Sequence, residues 1–235
     1  MDFSIASFWD SFQSGMRYLP NTWKLTFIPV LVGLILGTAI ALVRLYKIPV
    51  VSNLFGLLIS LYQGIPIVVA LMIYNLIFMT EYDHIAKFFH WRAKLADVDN
   101  IWIGIFALSM SAICSMEESI KGAFLSVDKG QYEAGYSVGL TRLQTLKRIV
   151  IPQMIPVAIP MLTNNMIGII KGSAVAMAIG ITEVLGGSVI PCSTTYRFLE
   201  GYVAAAFIYW GFTVIVERIA KVIEKRADRY RRKLA

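Results

Sequence analysis

Residues 126–152 read SVDKGQYEAGYSVGLTRLQTLKRIVIP, a polar island between long apolar runs. The segment Ser126 to Thr141 predicts two short helical turns, with Ser126 or Asp128 able to cap the first. Gly139 interrupts the second turn. A residue without a Cβ there suits either a left-handed backbone or very close approach by a neighbouring chain. Thr141 then offers a cap for a new helix that leads to Pro152. An island of this kind, set in such surroundings, reads as a handle for another protein.

The surroundings set the class. The chain has 57% hydrophobic and 16% charged residues and a mean hydropathy of +0.65, far from a soluble-domain average, which identifies an integral membrane protein. A bilayer core needs about 20 apolar residues in helical form. Five apolar runs meet or approach that length: about 25–43, 50–80, 101–116, 149–181 and 202–216. The fourth is longer than a span requires and holds Pro152, Pro156 and Pro160, so part of it is kinked or lies before the membrane. None of the runs alternates polar with apolar positions as barrel strands do. The predicted fold is therefore all-α: a single transmembrane domain, 1–235, with five spans. A short helix lies in the loop 126–148 between the third and fourth spans, and a basic tail, 217–235, follows the fifth.

Lys and Arg set the orientation, because short cytoplasmic loops carry an excess of them. Arg44 and Lys47 follow the first span, and Lys121, Lys129, Arg142, Lys147 and Arg148 lie between the third and fourth. Arg218 through Lys233 follow the fifth. These groups predict a multi-pass protein with its amino terminus outside and its carboxyl terminus in the cytoplasm. The formal charge of +7 resides in the same loop and tail, where anionic membrane lipid accounts for it and nucleic acid is not needed. The first twenty residues hold Asp2 and Asp10 and no continuous apolar core, so no cleaved signal peptide is expected.

Cys114 in the third span and Cys192 in an outer loop are expected as free thiols. His84 and His90, assigned to one outer loop, lack metal-site spacing, so no metal is expected. No Gly-x-x-x-x-Gly-Lys-Ser/Thr phosphate loop occurs, so no cofactor or nucleotide is expected in this chain and ATP falls to a partner. No span offers a constellation for a nucleophile or a general acid, which argues against an enzyme.

Polar groups at membrane depth are costly unless they face a cavity or a partner. Lys171 is the foremost of them, expected to face the bundle interior near Ser173 and Asn164 or Asn165. There it contacts a solute carboxylate, pairs with Glu183 or with an acid of a partner subunit, or snorkels to the interface. Gln63 and Gly64 beside Pro66 interrupt the second span, as a packing kink or as a broken helix exposing backbone to solute. Glu117 and Glu118 are expected to pair with Lys121 one turn on. Tyr18, Trp23, Trp91, Trp102, Tyr202, Tyr209 and Trp210 read as interfacial belt or packing residues.

Taken together, Glu133-Ala134-Gly135, three residues, Gly139, nine residues, and then Ile149-x-Ile151-Pro152 resembles the EAA loop of ABC-importer permeases. The family pattern has Ala at 135 and usually Leu at 151. Glu118-x-x-Lys121-Gly122, Gly130-Gln131, Ile151-Pro152-Gln153, Pro160-x-Leu162-x-Asn164 and Tyr62-Gln63-Gly64-Ile65-Pro66 resemble the polar-amino-acid subfamily, over roughly residues 20 to 225. Where relatives carry Lys-Asp-Thr-Ser-Leu, this chain has Lys171-Gly172-Ser173-Ala174-Val175.

The resemblance implies a five-helix permease subunit in a bacterial plasma membrane. It pairs with a second permease, identical or paralogous, binds two cytoplasmic ABC ATPases, and takes solute from an extracytoplasmic binding protein. Gln131, Glu133, Ala134, Gly135, Gly139, Ile149, Ile151 and Pro152 would couple to the ATPase. Lys171, Ser173, Asn164, Gln63 and Glu183 would line the path of a small polar solute, most simply an amino acid, carried by alternating access. The rival reading is an ion-gradient-driven secondary transporter with Lys171 and Glu183 as a charged relay.

Overall fold

A computed structural model describes residues 2–92 and 94–234, with side chains as far as Ala227; the last part of the predicted basic tail lies outside the described side chains. Every regular element among the described residues is helical. In chain order these are α1 (Ile5–Arg17), α2 (Leu19–Leu45), α3 (Val51–Gln63), α4 (Ile67–Phe88), α5 (Ile101–Leu125) and α6 (Lys129–Ser137). They are followed by α7 (Arg142–Thr145), α8 (Ile151–Gly172), α9 (Val184–Val189), α10 (Cys192–Thr195) and α11 (Phe198–Leu234). A π-helical turn, Leu146–Val150, joins α7 to α8, and a 3-10 stretch, Ser173–Ile179, extends α8.

Four of these helical segments are long and apolar enough to cross a membrane, and a fifth crossing arises if α3 and α4 count as one broken span. The second apolar run is thus not one straight helix. Its halves meet at 102°, because Pro66 removes a backbone donor and, with ψ of 135°, leaves helical geometry between α3 and α4. Tyr62 anchors the break by donating from its hydroxyl to the Ala107 carbonyl at 3.2 Å.

The core of the bundle is the α2–α5 pair. Gly33 and Gly37, one turn apart on α2, face Ala112, Ile113, Met116 and Glu117 of α5. A Cβ at 33 would lie 2.8 Å from that of Ala112, and one at 37 would lie 3.0 Å from the Ile113 carbonyl oxygen. This is backbone contact of the small-x-x-x-small type, which brings two helices together where lipid offers no hydrophobic drive. Met116 and Ala112 then sit fully buried with Val150 and Ala123 in one apolar cluster.

α2 and α5 run side by side toward the α6 end of the molecule; α3–α4 and α8 run away from it, and α11 returns. The amino terminus therefore lies at the end opposite α6. That end holds an element the sequence pattern does not announce: α1, capped by Ser4, whose Oγ accepts from the Ser7 N–H at 3.3 Å. α1 packs on α9 and α11, with Phe8 edge-on to Phe207 at 5.8 Å, while Ile5, Trp9 and Met16 stay exposed. His84 belongs to α4 and not to a loop, because the helix continues through Phe88. Cys114 and Cys192 are both free and buried.

Candidate functional site

The loop between α5 and α8 is built as a rigid unit. Asp128, and not Ser126, caps α6: its Oδ1 accepts from the Gly130 N–H at 2.7 Å, whereas the Ser126 hydroxyl turns back to the Ala123 carbonyl. α6 ends in a Schellman turn. The Leu140 N–H reaches the Gly135 carbonyl and the Gly139 N–H the Tyr136 carbonyl, both at 3.0 Å. That turn needs a left-handed residue, and Gly139 supplies it with φ of +81°. No atom lies within 4 Å of a Cβ placed there. Of the two readings open for Gly139, the left-handed backbone is the one the turn requires, and no other part of this chain crowds the position.

Close approach falls instead on Gly135, the one buried residue of α6. A Cβ at 135 would lie 2.7 Å from Thr145 Cγ2 and 3.1 Å from Ile149 Cδ1. This is the position where the related pattern has Ala. Thr141 caps α7 reciprocally with Gln144, accepting from its N–H at 3.3 Å and donating its own N–H to Gln144 Oε1 at 2.9 Å. Gln131 Oε1 accepts from Gln153 Nε2 at 2.9 Å, tying the start of α6 to the first turn of α8. The π turn precedes Pro152, and the Ile151 N–H reaches back five residues to Leu146. Such widening carries the Arg148 carbonyl out of the path of the proline ring, which an unbroken α-helix would not allow. Ile149, Ile151 and Pro152 are half-buried in this joint.

α6 is therefore packed on α7 and the π turn along one side, tied to α8 by the Gln131–Gln153 bond, and turns its other side outward. Glu133 and Ala134 are exposed, together with Tyr136, Val138 and Leu143. The mixed apolar and charged surface suits a protein partner.

The five solute-path candidates separate into three groups. Asn164 and Lys171 share one face of α8 with Gly168, all three exposed. Beside them Ser111, Ser115, Asn164, Asn165 and Gly172 line a cleft of about 280 Å³, and Asn165 fixes its wall by donating to the Ser115 carbonyl at 3.0 Å and to Ser119 Oγ at 2.8 Å. Gln63 is exposed at the α3–α4 break.

Ser173 and Glu183 are excluded from this face. Ser173 is fully buried and donates to the Ile170 carbonyl at 2.8 Å. Glu183, also fully buried, caps α9 by accepting from the Leu185 N–H at 2.7 Å, and it accepts from Thr22 Oγ1 at 3.0 Å and from the Tyr209 hydroxyl. Lys171 thus neither faces the interior of this chain nor pairs with Glu183: left-handed Gly180 ends the 3-10 stretch and turns the chain away between them. Lys171 and Glu183, the two charges of the rival reading, are thus not in ion-pair contact, and Tyr209 bonds into the Glu183 network.

Glu117 also departs from its expected pairing. Its partner is Arg44 of α2, at 2.7 Å, and not Lys121; the carboxylate is fully buried and the guanidinium side chain 17% exposed. An arginine ending one apolar run and an acid ending another carry the signal. The parallel alignment of α2 and α5 is what joins them.

The chain resembles known proteins over nearly its whole length. Residues 29–229 match the family described as binding-protein-dependent transport system inner membrane component. The probable amino-acid ABC transporter permease protein PatM of Vibrio harveyi is 31% identical, covering 87% of each chain. The L-cystine transport system permease protein TcyB of Bacillus subtilis (strain 168) is 32% identical over 95% of this chain and 89% of that one. Among solved structures, a crystal structure of an amino acid ABC transporter with histidines superposes with a TM-score of 0.82 at 27% identity, covering 96% of this chain and all of that one. A MetNI methionine ABC transporter in an inward-facing conformation, at 16% identity and a TM-score of 0.68, shares the fold. The chain therefore belongs to the inner-membrane components of binding-protein-dependent transport systems: it is a multi-pass permease subunit of an ABC importer, which leaves ATP hydrolysis to a partner ATPase and receives solute from a binding protein.

Proposed function

We propose that this permease imports a small polar solute, an amino acid, by alternating access, with α6 as the element that an ATPase grips and moves. The observation that carries the reading is the construction of α6, which is clamped through Gly135 to Thr145 and the π turn leading into α8, tied to α8 itself by the Gln131–Gln153 bond, and exposed on its other side. A force applied to α6 is passed to α8, and α8 bears the Asn164–Lys171 face. We place that face toward a second permease chain, so that two such faces enclose the solute path. One chain carries one α6, and two ATPases therefore need two permeases, identical or paralogous. The excess of Lys and Arg at the α6 end argues for that end in the cytoplasm and the amino terminus outside.

Lys171 supports the solute class. It is exposed, and among the described residues no carboxylate pairs with it. A cation within a span is expensive unless it meets water, a partner or an anion, and an amino-acid carboxylate answers that need.

The test is uptake of a panel of radiolabelled amino acids into proteoliposomes holding the permease, its ATPase and its binding protein. Uptake that requires ATP and survives collapse of ion gradients supports the reading; uptake that follows the gradient and ignores ATP overturns it. In the same assay Lys171→Gln is expected to lower uptake about tenfold, the worth of one charge-assisted hydrogen bond. The ATPase activity without solute should stay close to wild type. Unchanged uptake in that variant would remove Lys171 from the path.

A further inference from the structure

At the α6 end of the molecule a second cleft, of about 790 Å³, opens between the end of α2, the start of α3 and the last turn of α5. Arg44, Lys47 and Lys121 line it, together with Ser52 and Asn53, and no acid does. Arg44 is paired with the buried carboxylate of Glu117, which Lys121 also feels at longer range, and neither Lys47 nor Lys121 has a carboxylate in ion-pair contact. Among the described residues neither lysine, nor the side chain of Ser52 or Asn53, makes a hydrogen bond or ion pair.

The cleft also has an apolar approach. Leu54, Leu57, Leu58 and Leu61 of α3 are 50 to 60% exposed and lead from it along one side of the helix. Val50 and Leu125 are exposed at its rim. A group of cations outside ion-pair contact, with hydroxyl or amide donors, at the end of an apolar helix face matches a molecule that is an anion at one end and hydrocarbon at the other. Free phosphate shares the anionic part and has no use for the leucines.

We propose that this cleft binds the phosphate of an anionic phospholipid, with the headgroup between Lys47 and Lys121 and the acyl chains along α3. Basic pockets between membrane helices favour such headgroups, with each lysine strengthening the attraction several-fold. The site adjoins α6: Leu125, on its wall, ends α5 only four residues before Lys129 begins α6. A bound lipid would brace the α2, α3 and α5 ends against which the loop 126–148 moves.

The assembled importer, purified in mild detergent and equilibrated with equal amounts of phosphatidylglycerol and phosphatidylcholine, tests this by native mass spectrometry of the retained lipid. Wild type is expected to retain phosphatidylglycerol in preference, and Lys47→Gln/Lys121→Gln to lose that preference about tenfold. The tail variant Arg218→Gln/Lys225→Gln should keep it. A lysine-pair variant that retains the wild-type preference overturns the proposal, and so does an equal loss in the tail variant, which would assign the effect to bulk charge. A second arm distinguishes the sources. If lipid-free importer binds radiolabelled inorganic phosphate saturably through Lys47 and Lys121, and that phosphate displaces phosphatidylglycerol, the occupant is a free anion and the lipid assignment falls.

Discussion

Gly139→Val is expected to remove most ATP-driven uptake at matched expression, while Glu133→Gln leaves most of it. Gly139 holds φ of +81° in the turn that ends α6, and a residue with a Cβ in that conformation costs about 1–2 kcal/mol, more when it is β-branched. Valine relieves the strain only by unwinding the turn and redirecting α6. Within this chain the cause is backbone strain and not crowding, since none of its own atoms lies within 4 Å of the absent Cβ. Gly139→Ala should therefore be nearly as harmful as Gly139→Val, and Gly139→Asn much milder, because Asn tolerates this region. Glu133, exposed, offers at most one surface ion pair, worth about 0–1 kcal/mol. Shifting a two-state transporter from 1:99 to 99:1 takes about 5.5 kcal/mol, so α6 must work as a whole surface. Equal losses in the Gly139→Val and Glu133→Gln proteins would falsify the lever, and a harmless Gly139→Ala would refute its backbone explanation.

The second large effect is on stability. Arg44→Gln is expected to destabilise the purified protein severely, by about 3–5 kcal/mol, because it strands the fully buried Glu117 carboxylate. Arg44→Gln/Glu117→Gln should recover most of that loss, since two neutral amides can bond where a lone charge cannot. Thermal inactivation in detergent reads both. A double variant no better than the single one would show that the pair does not account for the loss.

The legible parts of this chain are those where sequence spacing equals spatial neighbourhood. The loop 126–148 is readable because Asp128, Gly139 and Thr141 act on atoms a few residues away. Span number is readable because hydropathy reports length. Span phase is not. A helix apolar on every side gives no signal for which face is inward, so the sequence suggests pairing Lys171 with Glu183 when the two lie on different sides of a turned chain. For the same reason Arg44 reads as a loop residue when α2 carries it to Glu117. The Gly33-x-x-x-Gly37 spacing is present in the sequence and marks the α2–α5 contact. α1 escapes because its apolar residues are interleaved with Ser, Asp and Gln and form a stripe only on a helix. The α3–α4 break is visible in Gly64 and Pro66, but a bend of 102° is a matter of packing, set where Tyr62 meets Ala107.

The most direct test of the account is to purify the tagged chain from its native membrane in mild detergent and quantify what accompanies it by mass spectrometry, for wild type and Gly139→Val. The account predicts that an ABC ATPase accompanies wild type and falls about tenfold in the variant, in line with the backbone cost at 139, while any second permease stays bound. Equal recovery of the ATPase from both proteins would contradict the claim that α6 is what the ATPase holds.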